Sequence, residues 1–274
     1  MSFANANGIE HYYEIIGQPN AEPLILIAGM GGASSFWKPQ LKELSKHYRV
    51  IIYDQRGTGQ TTRAQVKSIR QLADDLNALM KNLEIRSAHL VGHSTGGAIA
   101  MVLAHAYPNR VKSLLLYASI HRSDAYRKRI WGLRKKILSE LGPLIYAQTT
   151  SLFFYPPEFI AAHSQQLEEV ELTTAKQDLS NTQIMHSRID SILNFEFIEP
   201  LREINQPTLV FCAEDDMLTP YYFSAEIASL IPNAQLKLVD RGGHAYSRSY
   251  PKEFNKLILA FLKKTYQLST IVNC

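Results

Sequence analysis

The 274-residue sequence contains only two cysteines, Cys212 and Cys274, and no uninterrupted apolar run that approaches about 18 residues. Cys212 lies in an apolar stretch and Cys274 ends the sequence, so we expect no stabilising disulfide and a reducing compartment. The missing apolar run excludes a typical membrane-spanning helix. The N-terminus also lacks a charged segment followed by an apolar run and a small-residue cleavage site. We therefore expect a soluble cytoplasmic protein.

Metal-ligand groupings, internal repeats and low-complexity linkers are also absent from the sequence. The nine histidines are not grouped with cysteine or carboxylate residues, so we expect no metal and no cofactor. The net charge of +4 is modest, which argues against a nucleic-acid or membrane partner. Length and a hydrophobic content of 46% suit one enzyme-sized α/β domain, and they leave a monomer and a homodimer open.

Apolar runs and helical patterns alternate through most of the sequence. Ser2 to Ile16 alternates in polarity around Asn7-Gly8, which predicts a hairpin. Strands are predicted near 23–29, 49–54, 88–91, 111–118, 207–213 and 236–239, and helices near 35–46, 69–80 and 97–104. This alternation is typical of a mostly parallel sheet with helices on both faces, whose ligands bind at the carboxyl ends of the strands.

A serine stands between one of these strands and the helix that follows it. Residues 92–96 read Gly-His-Ser-Thr-Gly, with the apolar run 88–91 before them and helix formers after them. A nucleophilic serine on such a turn adopts a strained backbone, so its neighbours two residues away must be small, and both are glycine. Ser94 is therefore a candidate nucleophile. The alternative is a plain strand-to-helix turn in which Ser94 caps the helix.

Two later strands end in the residues that a serine nucleophile needs. A serine hydroxyl requires a base to take its proton and an acid to orient that base. The strand 207–213 runs into three acidic residues, and the strand 236–239 is followed by Asp240 and then His244. The acidic residues of the first loop are Glu214, Asp215 and Asp216. The chain order serine, acid, histidine is that of one triad fold in particular.

These motifs resemble the α/β-hydrolase family over essentially the whole chain. The matching segments are GHSTGG at 92–97, YDQRGTG at 53–59 and GGHA at 242–245. The resemblance implies an α/β-hydrolase fold with an eight-stranded sheet. In the family the acid stands four residues before a proline, which selects Asp216 and leaves Asp215 as its rival. Glu214 and Asp240 are interpreted as solvated loop charges or as acceptors of turn hydrogen bonds.

Two backbone N–H groups are expected to bind the oxyanion that forms during attack on a carbonyl. Thr95 supplies one, because it follows the nucleophile at the start of a helix. The family pattern gives the second to Met30, which follows Gly29 in a glycine-rich loop. Many relatives carry a histidine where this chain has Ala28, so a side chain that often braces the loop is missing. Alternatively, these glycines form only a tight turn.

The strand pattern stops between 121 and 200. Helical patterns replace it, over Tyr126–Leu141, Leu144–Tyr155, Pro157–Glu169 and Glu171–Phe197. We expect residues 1–120 and 201–274 to form the core, with 121–200 as a helical lid subdomain over the site.

The first helix of this segment is unusually basic. Its Lys and Arg residues are Arg122, Arg127, Lys128, Arg129, Arg134, Lys135 and Lys136, with Asp124 as the only acid. The favoured interpretation is a solvated helix face. Attraction of an anionic small substrate is a second interpretation, and contact with an anionic membrane or nucleic acid is a third.

The candidate substrate contacts combine loop and lid residues: Gly29, Trp37, His121, Trp131 and Phe154. The lid aromatics have an alternative role as the core of the lid itself. His93 is interpreted as a packing or hydrogen-bonding residue.

The predicted function is hydrolysis of a small ester, lactone or related carbonyl compound through a Ser94–His244–Asp216 triad and an acyl-enzyme. Within the family, YDQRGTG at 53–59, LFFYPPEFIAAH at 152–163 and RGGHAYS at 241–247 resemble the aminoacrylate hydrolases, with the 3-oxoadipate enol-lactonases next. Both groups act on small carboxylates, which would suit a basic entrance to the site and leaves an anionic substrate open. An acyltransferase and a non-enzymatic ligand receptor on the same fold are the alternatives.

Overall fold

The computed structural model describes residues 2–177 and 181–272, so Cys274 lies outside the described residues. Its strands are β1 (Ser2–Ala6), β2 (Ile9–Ile16), β3 (Pro23–Ile27), β4 (Arg49–Tyr53), β5 (Ala88–His93), β6 (Val111–Tyr117), β7 (Thr208–Ala213) and β8 (Ala234–Val239). Its helices are α1 (Lys38–Leu44), α2 (Ile69–Asn82), α3 (Thr95–Ala106), α4 (Ala125–Glu140), α5 (Gly142–Phe154), α6 (Pro157–Ala162), α7 (Ser164–Gln177), α8 (Thr182–Leu193), α9 (Tyr221–Leu230), α10 (Tyr246–Ser249) and α11 (Pro251–Val272).

The strands form one eight-stranded sheet in the order β1-β2-β4-β3-β5-β6-β7-β8. Strand β2 pairs antiparallel with β1 and β4, whereas every pairing from β4 to β8 is parallel. The hairpin turns at Asn7 and Gly8, whose φ angles are 53° and 73°, as a two-residue turn requires. The predicted eight-stranded, mostly parallel α/β sheet is confirmed.

Alternate residues of the strands pack on opposite faces of the sheet. One face joins Ile25, Ile27, Leu90, Leu114 and Leu116 to residues of α2, α3 and α9. The other face joins Leu24, Leu26, Val91 and Leu115 to residues of α1 and α11. Side chains on a strand alternate between faces, so buried strands with apolar residues throughout require helices on both sides. The site then lies at the carboxyl ends of the parallel strands.

In the part of the chain that the structure describes, five helices, α4 to α8, lie between β6 and β7, and we call residues 121–200 the helical insertion. The sequence predicted one helix over 157–169, but the structure ends α6 at Ala162 and begins α7 at Ser164. His163 leaves the helical conformation, and its ring stacks on Phe159 at 4.1 Å. The apolar pattern continues through this break, so periodicity alone does not detect it. Residues 178–180 of the predicted helix 171–197 lie outside the described residues.

In the described ranges, no helix combines the length and the apolar character that crossing a membrane requires.

A buried ion pair joins the loop after β4 to α2. Arg56 and Asp75 form two hydrogen bonds of 2.8 Å, and Asp75 also accepts one of 2.6 Å from the Asn7 amide. Both charged side chains are buried. Removing one partner of such a pair leaves an uncompensated buried charge. The pair therefore fixes the hairpin turn and the 53–59 loop to the same helix.

Replacement of the buried carboxylate should destabilise the fold. We expect Asp75→Asn to lower the free energy of unfolding by about 3 kcal/mol, because the Arg56 charge stays buried without its counterion. Urea denaturation measures this change. The neighbouring Asp74→Asn is the matched control. Its pair with Arg70 is partly exposed, with 34% of the Asp74 side chain accessible, and should cost less than about 1 kcal/mol. Equal losses of unfolding free energy in the two variants would contradict the conclusion that Asp75 compensates a buried charge.

Candidate active site

Ser94 occupies a strained turn between β5 and α3. Its φ of 52° and ψ of −117° lie outside the conformations that a non-glycine residue normally adopts. A Cβ atom on Gly92 would lie 2.5 Å from the Gly96 carbonyl oxygen, and one on Gly96 would lie 2.2 Å from that of Ile27. Backbone atoms cannot move away cheaply, so only glycine fits at both positions. The turn therefore projects the serine side chain at the end of β5.

Two backbone amides near Ser94 are unpaired. Helix α3 begins at Thr95, and the first N–H groups of a helix have no intrahelical acceptor. Among the hydrogen bonds of the described residues, none has the N–H of Thr95 or of Met30 as its donor. A Cβ atom on Gly29 would lie 3.3 Å from Ser94 Cβ, so the Gly29–Met30 loop lies beside the serine. Both N–H groups are available to an anion close to Ser94.

Asp216 and His244 contact each other in the loops after β7 and β8. His244 Nδ1 lies 2.8 Å from Asp216 Oδ2, and both side chains are buried. The other carboxylate oxygen accepts hydrogen bonds of 2.8 and 2.9 Å from the N–H groups of Leu218 and Thr219. The Thr219 hydroxyl lies 2.8 Å from Asp216 Oδ2. The carboxylate is therefore fixed on every side and orients the imidazole ring.

Its neighbour Asp215 has a different set of contacts. It accepts hydrogen bonds of 3.0 and 2.8 Å from the N–H groups of Gly242 and Gly243, which precede His244. Asp215 therefore holds the loop that carries the histidine, whereas Asp216 contacts the ring. Glu214 and Asp240 are exposed, in agreement with solvated loop charges.

His93 connects the serine turn to the histidine loop. Its Nε2 lies 3.0 Å from the carbonyl oxygen of His244, which also accepts a hydrogen bond of 2.7 Å from the Tyr117 hydroxyl. Burial and the nearby His244 ring hold the pKa of His93 well below its ordinary value, so His93 is neutral. A neutral ring that reaches this carbonyl through Nε2 donates its N–H there. His93 therefore positions the His244 backbone.

The rings of His93 and His244 lie 4.6 Å apart, which brings the serine turn and the histidine together. In the described parts of the chain, neither Ser94 Oγ nor His244 Nε2 makes a hydrogen bond. Since Nδ1 is bonded to Asp216, Nε2 is the ring nitrogen available for proton transfer. Catalytic hydrogen bonds are often long before substrate binds, so this geometry is compatible with a serine–histidine pair.

A cavity of about 200 Å³ lies beside the serine turn, with His93 and the Gly29–Met30 loop in its wall. The core contributes Gly29, Met30, Phe36, His93 and Arg248 to its wall, and the helical insertion contributes Trp131, Arg134, Tyr146, Phe154 and Glu171. Three of the five candidate substrate contacts, Gly29, Trp131 and Phe154, therefore line it. The wall is mostly apolar and contains two arginines and one glutamate.

The other two candidate contacts lie elsewhere. Trp37 is fully buried and stacks on Phe254 at 6.3 Å, on the face of the sheet that carries α11. His121 is buried with its Nε2 3.1 Å from Glu226, beside Phe223. Burial lowers the pKa of His121 to about 4. Neither residue is part of the cavity wall, because each packs against a helix of the core instead.

The basic helix α4 does not present one charged surface. Lys128, Arg129 and Lys136 are exposed, as a solvated face requires. Arg122 and Lys135 instead pair with Glu226 and Asp190. Arg127 and Arg134 are turned inward, with 1% and 2% of their surfaces exposed. The sequence identified the charges of this helix but not their different environments.

Sequence reasoning also missed Arg188 on α8. Its Nε donates a 2.7 Å hydrogen bond to the Met30 carbonyl, although the two residues lie far apart in sequence. An isolated arginine in a helical pattern gives no signal of such a contact. Gln55, which accepts a hydrogen bond from Arg188, belongs to the YDQRGTG motif. That motif was the available indication that the 53–59 loop contributes to the site.

Residues 22–246 match the family described as alpha/beta hydrolase fold. The chain is 39% identical to a RutD protein of Azorhizobium caulinodans named as a carbamate hydrolase, over 95% of this chain and 98% of that protein. A RutD protein of Serratia proteamaculans with the same name is 34% identical, over 94% of this chain and 98% of that protein. An enol-lactonase from Burkholderia xenovorans has a similar structure, with a TM-score of 0.88 and 25% sequence identity. The match covers 96% of this chain and 100% of that one.

These matches extend over nearly the whole chain and agree with the strand order and turn geometry described above. They confirm the resemblance that the sequence motifs predicted. The chain belongs to the α/β-hydrolase fold family and is a hydrolase.

Proposed function

We propose that the protein is a serine hydrolase in which Ser94, His244 and Asp216 form the catalytic triad. The observation that carries this proposal is the buried 2.8 Å contact between His244 Nδ1 and Asp216, beside a serine held in a strained turn. An acid that fixes Nδ1 leaves Nε2 to act as the base. The site residues therefore have the order and environment that nucleophilic catalysis requires.

In the proposed mechanism, His244 Nε2 takes the proton of Ser94 as its oxygen attacks the substrate carbonyl carbon. The N–H groups of Met30 and Thr95 bind the oxyanion of the tetrahedral intermediate. His244 then donates the proton to the leaving group, which departs as the acyl-enzyme forms. Water repeats the sequence and releases the acid product and Ser94. Asp216 stabilises the imidazolium at each stage.

The proposed substrate is a small carbonyl compound such as an ester, a lactone or a carbamate. A cavity of about 200 Å³ limits its size. The names of the relatives as carbamate hydrolases, and of a structural neighbour as an enol-lactonase, agree with this class. The helical insertion is proposed to act as the lid that shapes this cavity, because it contributes half of the wall residues named above.

Removal of the nucleophile should abolish most of the activity. We expect Ser94→Ala to lower kcat on p-nitrophenyl acetate by roughly 10⁴- to 10⁶-fold with an unchanged thermal midpoint, by analogy with other triads. Release of p-nitrophenol measures kcat, and circular dichroism checks the fold.

The same assay separates the alternatives. Unchanged turnover in Ser94→Ala would contradict the triad. A wild-type protein that binds the ester without cleaving it would be a receptor. Preferential transfer of the acyl group to an added alcohol or thiol, in place of water, would identify an acyltransferase.

The arginine in the cavity suggests an anionic substrate. Arg134 donates a 2.7 Å hydrogen bond to the Thr150 hydroxyl, and its guanidinium lies 4.4 Å from the centre of the Tyr146 ring. In the described ranges, its Nε and Nη1 have no hydrogen-bond partner. Glu171, the acidic residue of the wall, accepts a hydrogen bond from Ser151 instead. With Arg248 also present, the cavity has a positive balance that favours a carboxylate.

Loss of this charge should therefore act selectively on anionic substrates. We expect Arg134→Met to lower kcat/KM for mono-p-nitrophenyl succinate by about 10- to 100-fold, the range for a charge-assisted hydrogen bond. The neutral p-nitrophenyl butyrate should be affected less than about threefold. Steady-state kinetics on both esters measure the ratio. Arg129→Met removes an exposed charge from the same helix and should leave the ratio unchanged. Equal effects of Arg134→Met on the two esters would contradict the anionic preference.

A further inference from the structure

The glycine-rich loop beside Ser94 is held by polar contacts from two other parts of the chain. Gln55 Nε2 donates a 2.7 Å hydrogen bond to the Ala28 carbonyl, and the Gln55 N–H donates one of 3.0 Å to the Gly32 carbonyl. Between them, the Met30 carbonyl accepts a 2.7 Å hydrogen bond from Arg188 Nε. Three alternate residues of this loop, Ala28, Met30 and Gly32, are thus held through their carbonyl groups, and in the described residues the Met30 N–H donates no hydrogen bond.

Arg188 makes all its hydrogen bonds to neutral acceptors. Its Nη1 donates to the Arg56 carbonyl at 3.1 Å, and its Nη2 donates to Gln55 Oε1 at 2.5 Å. Only 1% of the residue is exposed. A carboxylate commonly accompanies a buried arginine, because an uncompensated buried charge is costly. Within the described parts of the chain, Arg188 has no ion pair within 4.0 Å.

The guanidinium stays charged at neutral pH. Burial lowers the pKa of Arg188 to about 10, which is still about three units above neutrality. A fixed positive charge therefore lies one hydrogen bond away from the loop that offers its N–H to the oxyanion. Charges and dipoles fixed before the reaction stabilise a developing oxyanion without any cost of rearrangement.

We propose that Arg188 is the positioning residue of the oxyanion hole. It holds the Met30 carbonyl so that the Met30 N–H stays directed at the substrate, and its charge favours the oxyanion over the neutral carbonyl. Many relatives brace this loop with a histidine at the position where this chain has Ala28. In this chain, Arg188 of the helical insertion braces the loop instead. This inference rests on the proposed function, because it assumes attack by Ser94.

The test compares transition-state stabilisation with ground-state binding. We expect Arg188→Met to lower kcat on p-nitrophenyl butyrate by about 10²-fold, close to the effect of losing one oxyanion donor, with KM changed less than about threefold. The affinity for phenylboronic acid, which forms a tetrahedral adduct with an active serine, should fall in parallel with kcat. The affinity for butyrate, a product without the tetrahedral centre, should stay the same.

Arg110→Met is the matched control. Arg110 also donates to two backbone carbonyls, those of Ile85 and Arg86, and to the Asn77 amide oxygen, but it directly precedes β6 and so lies at the amino ends of the parallel strands, opposite the site. Its loss should lower stability without changing kcat. A kcat effect of Arg188→Met no larger than that of Arg110→Met, or equal losses of boronic acid and butyrate affinity, would overturn the proposal.

Arg188→Lys keeps the charge but cannot reach all three acceptors at once. We expect it to fold, to recover about tenfold of the roughly 100-fold kcat lost in Arg188→Met, so that its kcat stays about tenfold below that of the wild type, and to leave KM unchanged. If Arg188→Met does not fold, a kcat for Arg188→Lys equal to that of the wild type overturns the proposal, and a loss of about tenfold supports it. Full activity in Ser94→Ala would instead disprove the triad, so the two failures are distinguishable.

Discussion

The contact between the start of α3 and the end of β3 is the constraint on which the site depends. Gly96 packs so closely on the Ile27 and Ala28 carbonyls that even a methyl group would collide with them. This approach forces the sharp turn at Ser94 and places the Thr95 N–H beside the loop that follows β3. One close backbone contact therefore fixes the serine turn and the Thr95 N–H relative to the loop that follows β3. Residues from later in the chain complete an arrangement that β3, β5 and α3 have already fixed.

The helical insertion is hydrogen-bonded to three loops of the candidate site. The Phe154 carbonyl accepts a 2.9 Å hydrogen bond from the N–H of Ala245, next to His244. The Tyr126 hydroxyl donates one of 2.8 Å to the Met217 carbonyl, next to Asp216. Arg188 adds its contact with Met30. Substitutions in the insertion can therefore change the geometry of the proposed base, the proposed acid or the proposed oxyanion loop without touching the substrate.

The parts of the site that sequence could predict are those fixed by local chemistry. Glycines around Ser94, and polar residues directly after apolar strands, place Ser94, Asp216 and His244 at one edge of the sheet whatever the rest of the chain does. The mostly parallel sheet and both helical layers follow from the same alternation, whereas the order of the strands does not. The places of Trp37 and His121 could not be predicted in this way, because their surroundings depend on helices distant in sequence. The contact of Arg188 with Met30 depends on how α8 packs, and no local pattern encodes that.

Helix α4 shows that part of the missing information was present as periodicity. Arg127, Trp131, Arg134 and Leu138 are spaced by four, three and four residues, so they share one face of the helix, and all four are buried. Counting its charges suggested one solvated surface, whereas their spacing placed two arginines in the apolar stripe. Burying a guanidinium costs free energy unless aromatic rings, carbonyls or an anion compensate it. An arginine at an apolar position of a helix near a cavity therefore indicates a binding or positioning role more strongly than the net charge of the helix does.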